Sequence, residues 1–230
     1  MQYLLNGGGH EVRSLQSLEI TDFLHQAGVK NLVIIAFAMA ETHWQQVWEQ
    51  PEQMITLSNI NITSLTLTNY TAALATARLS AADAIFMPGG IPAVLMERLE
   101  DTGCTDLLQD SIDKQQLKVV GGASAGAMVL GKMYGSNHKP GLNIVDNHII
   151  DVHFSNRGRM SRLQAVIDAN HELTGIGIDE DTTLLLNDDW RPQQIFGDGT
   201  TTYYRHNETM KTYDKNTTFT TRNSDPASQT

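Results

Sequence analysis

Four short stretches, at 3–6, 31–38, 84–90 and 117–122, carry apolar side chains without strand-like polar alternation. Strands of that kind must be covered on both faces. Between them lie helix-like stretches near 15–27, 42–50, 70–82 and 92–115. This β-α-β alternation admits few solutions, and the expected one is a three-layer α/β/α sandwich around a mostly parallel central sheet. Residues 53–68 have too little helical period and read as strand and turn. Further on come a strand within 143–154, a helix near 159–170, and short strands at 175–178, 182–186 and 201–206. No internal repeat is visible. A chain of 230 residues suits one sizeable core, so a single domain is expected over 1–206. Residues 207–230 read as a polar tail that frays.

Composition narrows the function classes. The formal net charge is −10, which argues against nucleic acid or an anionic membrane as the main partner, because phosphate binding needs clustered Lys and Arg. No uncharged apolar run approaches the roughly 20 residues that span a bilayer. The first residues lack a basic segment before their short apolar run, and Cys104 is the lone cysteine, so neither a signal peptide nor an internal disulfide is expected. These features read as a soluble, cytoplasmic protein.

Residues 122–126 read Gly-Ala-Ser-Ala-Gly. In this G-x-S-x-G pattern a strand turns sharply into a helix and leaves the serine Oγ exposed at the strand's carboxyl end. Ser124 is therefore a candidate nucleophile, and a nucleophilic serine needs a base. Of eight histidines, His153 is the one expected at the carboxyl end of a strand beside Ser124. Asp179, Glu180 and Asp181 follow another short strand, and one of them is placed to orient the base. Gly90, after the strand ending in Gly89-Gly90, and Ala125, at the start of the elbow helix, offer backbone N–H groups for an oxyanion hole. Arg157, Arg159 and Arg162 come just after His153. Arginines grouped beside a candidate base suit a substrate carboxylate, which guanidinium grips in a bidentate fork.

The segments "GGASAGA", "DVHFSNRGRMSRL" and "GIGIDEDTTLLL" together resemble the cyanophycinase and aspartyl dipeptidase (dipeptidase E) family of serine peptidases, over roughly residues 3–206. The resemblance implies a fold similar to the class I glutamine amidotransferases, with Ser124 as nucleophile, His153 as base and Glu180 as acid. It also implies that Arg159 and Arg162 hold the carboxylate of an aspartyl residue, with Arg157 matched in the cyanophycinase branch. The chain departs from cyanophycinases in having Ile91-Pro92 after the paired glycines and Val152 before the histidine, where polar residues are the rule. An acidic or isoaspartyl peptide is thus the expected substrate rather than cyanophycin itself. No cofactor or metal is called for, although Asp151 and His153 share a strand face, and a homodimer stays open as an assembly.

Three rivals remain at this level. In an α/β-hydrolase esterase the order Ser, acid, His would make His206 the base. A non-catalytic binding module would keep the fold with an idle site, and a metal-dependent hydrolase would need a ligand cluster.

Overall fold

A computed structural model describes residues 1–10, 14–39, 48, 50–135 and 138–219. The early strands are β1 (Gln2–Asn6), β2 (Asn31–Ile35), β3 (Asn61–Leu65), β4 (Ala84–Met87) and β5 (Val119–Ala123). They run parallel in the order β1-β5-β4-β2-β3. Successive residues feed opposite faces: Val33 and Ile35 pack with Leu5, Ile85, Met87 and Val120, whereas Leu32 and Ile34 pack with Leu4, Phe86 and Val119. Both faces are core, which is why these strands show no polar alternation.

Helices close both faces. α1 (Leu18–Gln26), capped by Ser17 Oγ accepting the Ile20 N–H at 3.3 Å, lays Ile20 and Leu24 on one face. Residues 53–68 hold the end of a one-turn helix, α2 (Pro51–Met54), and then β3. The helix expected near 42–50 lies largely outside the described residues. On the other face sit α3 (Ala72–Ala81), α4 (Pro92–Asp101) and α5 (Cys104–Asp113), contributing Ala75, Leu79, Leu95, Leu99 and Leu108. The single helix expected over 92–115 is two, because Gly103 takes the left-handed conformation at φ +70° and ends the first.

The later strands, expected in the same central sheet, divide. They are β6 (Met133–Tyr134), β7 (Lys139–Pro140), β8 (His148–Val152), β9 (Thr174–Ile178), β10 (Thr182–Leu186), β11 (Pro192–Gly197), β12 (Thr201–Arg205) and β13 (Lys211–Tyr213). β10 and β11 extend the first sheet antiparallel beyond β1, and the others form a second sheet ordered β13-β12-β9-β8-β6-β7. The elbow helix α6 (Ala125–Leu130) is buried at every position and packs against both β5 and β8. α7 (Met160–Ala169) covers β9 and β12 through Leu163, Val166 and Ile167. The fraying tail expected from 207 contains β13, paired with β12, and residues 220–230 lie outside the described residues. No described helix is long and apolar enough to cross a membrane.

The junction of the two sheets is tight at Gly126. A Cβ there would fall far inside van der Waals contact of the Met87 carbonyl oxygen at the end of β4. Alanine is favoured over glycine inside a helix by about 1 kcal/mol, yet relieving this overlap requires α6 to lift off β4. We expect Gly126→Ala to lower stability by about 2 kcal/mol net and Tm by about 4–8 °C, read by thermal denaturation in circular dichroism. An unchanged or higher Tm would mean that helix propensity, rather than this contact, governs the position.

Candidate active site

Parallel registers bring the sequence motifs to one end of the molecule. Asn6 pairs with Ala123, and Met87 with Gly122, so the chain leaving β1, β4 and β5 emerges side by side. In the second sheet Val152 pairs with Ile178, which delivers His153 and residues 179–181 together.

Ser124 stands at the turn from β5 into α6 with φ 48° and ψ −111°. An L-residue enters this region only under constraint, at a cost of about 1–3 kcal/mol. Two hydrogen bonds hold it: its N–H donates to the Asn6 carbonyl at 3.0 Å, and its carbonyl accepts the Met128 N–H at 3.0 Å. The glycines two residues to either side are steric necessities. A side chain at Gly122 would strike the Gly126 backbone, and one at Gly126 would strike Met87.

His153 is also held at positive φ, 48°, with its N–H donating to the Gly7 carbonyl at 2.9 Å. Its Nε2 lies 2.9 Å from Ser124 Oγ, and its Nδ1 lies 2.7 Å from Glu180 Oε1. The imidazole is 12% exposed. Burial pushes its pKa below the ordinary histidine value, the hydrogen bond to Glu180 opposes this, and the Arg157 charge adds to the fall. A neutral ring bonded to a hydroxyl on one side and a carboxylate on the other can take a proton from the hydroxyl.

The three consecutive acids do different work. Asp179 accepts the Ser155 N–H at 2.9 Å, the Thr200 N–H at 3.0 Å and the Thr200 hydroxyl at 2.7 Å, which ties the loop after His153 to the approach to β12. Burial raises the Asp179 pKa, but these donors outweigh it and leave the carboxyl below its ordinary value. Glu180 meets His153. Asp181 accepts the His10 N–H at 2.6 Å and donates its own N–H to the Gly8 carbonyl at 2.8 Å.

The amides expected for an oxyanion hole lie where β4 and β5 end. Among the described residues neither Gly90 nor Ala125 donates its N–H to an acceptor. Gly90 takes φ +146°, and a Cβ there would strike the Ala38 carbonyl, so only glycine lets the chain pass.

The arginines differ from expectation. Arg159 Nη1 donates to Asp151 Oδ1 at 3.0 Å and to the Val152 carbonyl at 2.8 Å. Arg162 Nε donates to Asp151 Oδ2 at 3.0 Å, and its Nη2 pairs with Oδ1. Asp151, with its side chain 4% exposed, takes one donor of Arg159 and a two-nitrogen fork of Arg162, where a substrate carboxylate was expected. A buried carboxylate must be paired, and these are the cations within reach. Arg157 is exposed and acts on His153 through its charge; its N–H donates to the His153 carbonyl at 3.0 Å, and among the described residues its guanidinium has no hydrogen-bond partner.

His206 lies at the other end of the second sheet, where Arg205 pairs with Thr174. Its Nδ1 is 3.0 Å from Asp168 and its ring stacks on His171, so the esterase order is not realised. Among the described residues no three His, Cys, Asp or Glu side chains converge as metal ligands.

Sequence reasoning missed the segment Asn6-Gly7-Gly8-Gly9. Its signal was legible as three glycines directly after a strand, the mark of a backbone in close contact. Side chains at Gly7, Gly8 and Gly9 would strike Asp179, the His153 ring and Asp181 in turn.

Known proteins share this arrangement of chain. The cyanophycinase of Synechococcus elongatus is 37% identical over 126 residues, covering 49% of this chain and 39% of that protein. The cyanophycinase of Trichormus variabilis is 35% identical over 140 residues, covering 55% and 46%. The chain thus matches less than half the length of these curated relatives. A crystal structure of a peptidase from an acI-B1 Actinobacterium superposes with a TM-score of 0.74 at 21% identity, covering 93% of both chains. A candidate peptidase E protein from Listeria monocytogenes EGD-e gives a TM-score of 0.57 at 15% identity, covering 93% of this chain and 98% of that one. Both structures share the fold. The sequence pattern of Peptidase family S51 matches residues 3–191, and since this runs from β1 through β10 and includes Ser124, His153, Glu180 and the three arginines, the chain belongs to peptidase family S51.

Proposed function

We propose that this protein is a serine peptidase that cleaves acidic, aspartyl or isoaspartyl, peptides through an acyl-enzyme. The reading is carried by the relay in which His153 stands 2.9 Å from Ser124 Oγ and 2.7 Å from Glu180. Its family and the cyanophycinase relatives support it. In this mechanism His153 Nε2 takes the hydroxyl proton as Ser124 Oγ attacks the peptide carbonyl. The N–H groups of Gly90 and Ala125 hold the oxyanion, whose charge is worth most to bind in a partly dry site. His153 then gives its proton to the leaving amine, and water, deprotonated by the same ring, releases the acid. Glu180 keeps the proton on Nδ1 and stabilises the imidazolium.

The acidic preference rests on charge. Two guanidinium groups, those of Arg159 and Arg162, share the one carboxylate of Asp151, and a third, that of Arg157, follows His153 in a chain whose net charge is −10. Arg157 is the cation left to meet a substrate carboxylate.

Four measurements on purified protein test this reading. A fluorophosphonate should add to Ser124 in folded protein, seen by mass spectrometry, and Ser124→Ala should abolish both the adduct and hydrolysis. Glu180→Gln should lower kcat about 10²- to 10⁴-fold; an unlabelled Ser124 would leave the fold with an idle site. Because the His153 pKa is depressed, the ring loses its proton below the ordinary 6.5, so kcat/KM should rise with pH through a midpoint under 6.5 and then level off. Arg157→Ala, by removing a like charge, should move that midpoint upward, and a midpoint above 7 in the parent protein would contradict the role of burial. Finally, Arg157→Ala should lower kcat/KM on an aspartyl peptide about 10- to 100-fold and barely touch its asparaginyl counterpart. Equal losses on both peptides would remove the acidic preference from this arginine.

A further inference from the structure

Asn6 ends β1 with 2% of its surface exposed, and nothing in the relay itself uses its side chain. Yet both polar atoms of the side chain are hydrogen-bonded. Oδ1 accepts the Gly8 N–H at 2.9 Å, and Nδ2 donates to Thr183 Oγ1 on β10 at 2.9 Å. The first bond closes an Asx-type turn, in which the side chain takes the place of a backbone carbonyl two residues back. That turn carries Gly7, whose carbonyl accepts the His153 N–H at 2.9 Å, and Gly8, on which the imidazole rests. Gly8 has φ +95°, and a Cβ there would collide with Cε1 and Nε2 of His153. The conformation of one turn therefore sets both the backbone and the ring position of His153. The Asn6 main-chain carbonyl meanwhile fixes Ser124 through the bond from its N–H at 3.0 Å.

We propose that Asn6 is a positioning residue, whose side chain locks the Gly7–Gly8 turn and thereby sets the approach of His153 to Ser124. The proposal rests on the reading of Ser124 and His153 as nucleophile and base. Among similar-sized side chains asparagine alone supplies an acceptor to the Gly8 N–H and a donor to Thr183 without placing a charge at the buried end of β1. Aspartate keeps the acceptor and gives up the donor; alanine gives up both.

The test compares the parent chain with Asn6→Ala, Asn6→Asp and Gly8→Ala in three measurements. These are the rate at which a fluorophosphonate labels Ser124, the far-downfield proton resonance of the His153 Nδ1–H bonded to Glu180, and the thermal melt. Asn6→Ala should remain folded at the assay temperature, slow labelling about 10- to 100-fold and shift or broaden the resonance. Gly8→Ala should do the same by displacing the ring. Asn6→Asp should recover most of the rate. A parent-like rate and resonance in Asn6→Ala overturn the proposal. So does a loss of rate with the resonance unchanged, the mark of a purely structural role. If Asn6→Ala fails to fold, Asn6→Asp and Gly8→Ala decide: a parent-like resonance in Gly8→Ala, or a slow Asn6→Asp, overturns it. If the parent chain is itself unlabelled, the nucleophile reading fails, and the resonance still decides the place of Asn6.

Discussion

Three backbone carbonyls in a row hold the site together. Those of Asn6, Gly7 and Gly8 accept the N–H groups of Ser124, His153 and Asp181 at 3.0, 2.9 and 2.8 Å. Ser124 and Asp181 sit beside β5 and β10 of one sheet, and His153 belongs to the other. The chain leaving β1 is thus the common reference for groups from both sheets, and it can thread between them only because residues 7–9 carry no side chains. A buried N–H without an acceptor costs about 1–3 kcal/mol, so each bond makes any other placement of its partner expensive. Ser124, His153 and Asp181 all have positive φ. The strain at the site is matched, residue for residue, by this short stretch of main chain.

A second constraint is electrostatic. Arg159 caps α7 and Arg162 lies in its first turn, where the helix dipole disfavours cations by about 0.3–1 kcal/mol each. Asp151, at the penultimate position of β8, resolves the conflict by bonding both. The local rule is broken because the pairing locks the start of α7 to the strand that carries His153. Between those two anchored points runs the loop that bears Arg157. The outward cation is therefore mounted on an anchored base, and its charge reaches His153 without a bond from the guanidinium.

Much of this was legible in the sequence where a local rule had a local cause. The unalternating strands, the Ser124 turn with its two glycines, and the helix carrying Leu163, Val166 and Ile167 follow from periodicity and from the space that a side chain demands. The split into two sheets was not legible. β8 and β9 have the same apolar texture as β1 and β5, and the partner of a strand is fixed by distant residues. β11 escaped notice because Pro192, Gln193 and Gln194 disfavour a strand, and its antiparallel pairing with β10 overrides that preference. The pairing of Arg159 and Arg162 with Asp151 was hidden for a related reason: sequence shows which charges are near one another along the chain, and not which of them is buried and must be paired first.

The position of β1 has a consequence for how the protein is made. Synthesised before every other described strand, it lies between β5 and β10, with Leu4 opposite both Gly121 and Leu185. Contacts of such long sequence separation form late. When translation has passed Ser124, the turn that bears it can form on β1, but His153, Glu180 and the Thr183 anchor do not yet exist as folded structure. A nascent chain therefore carries an unassisted serine until β10 has emerged and paired. The order of strands thus leaves the contacts among Ser124, His153 and Glu180 unformed until the chain has been made past residue 183.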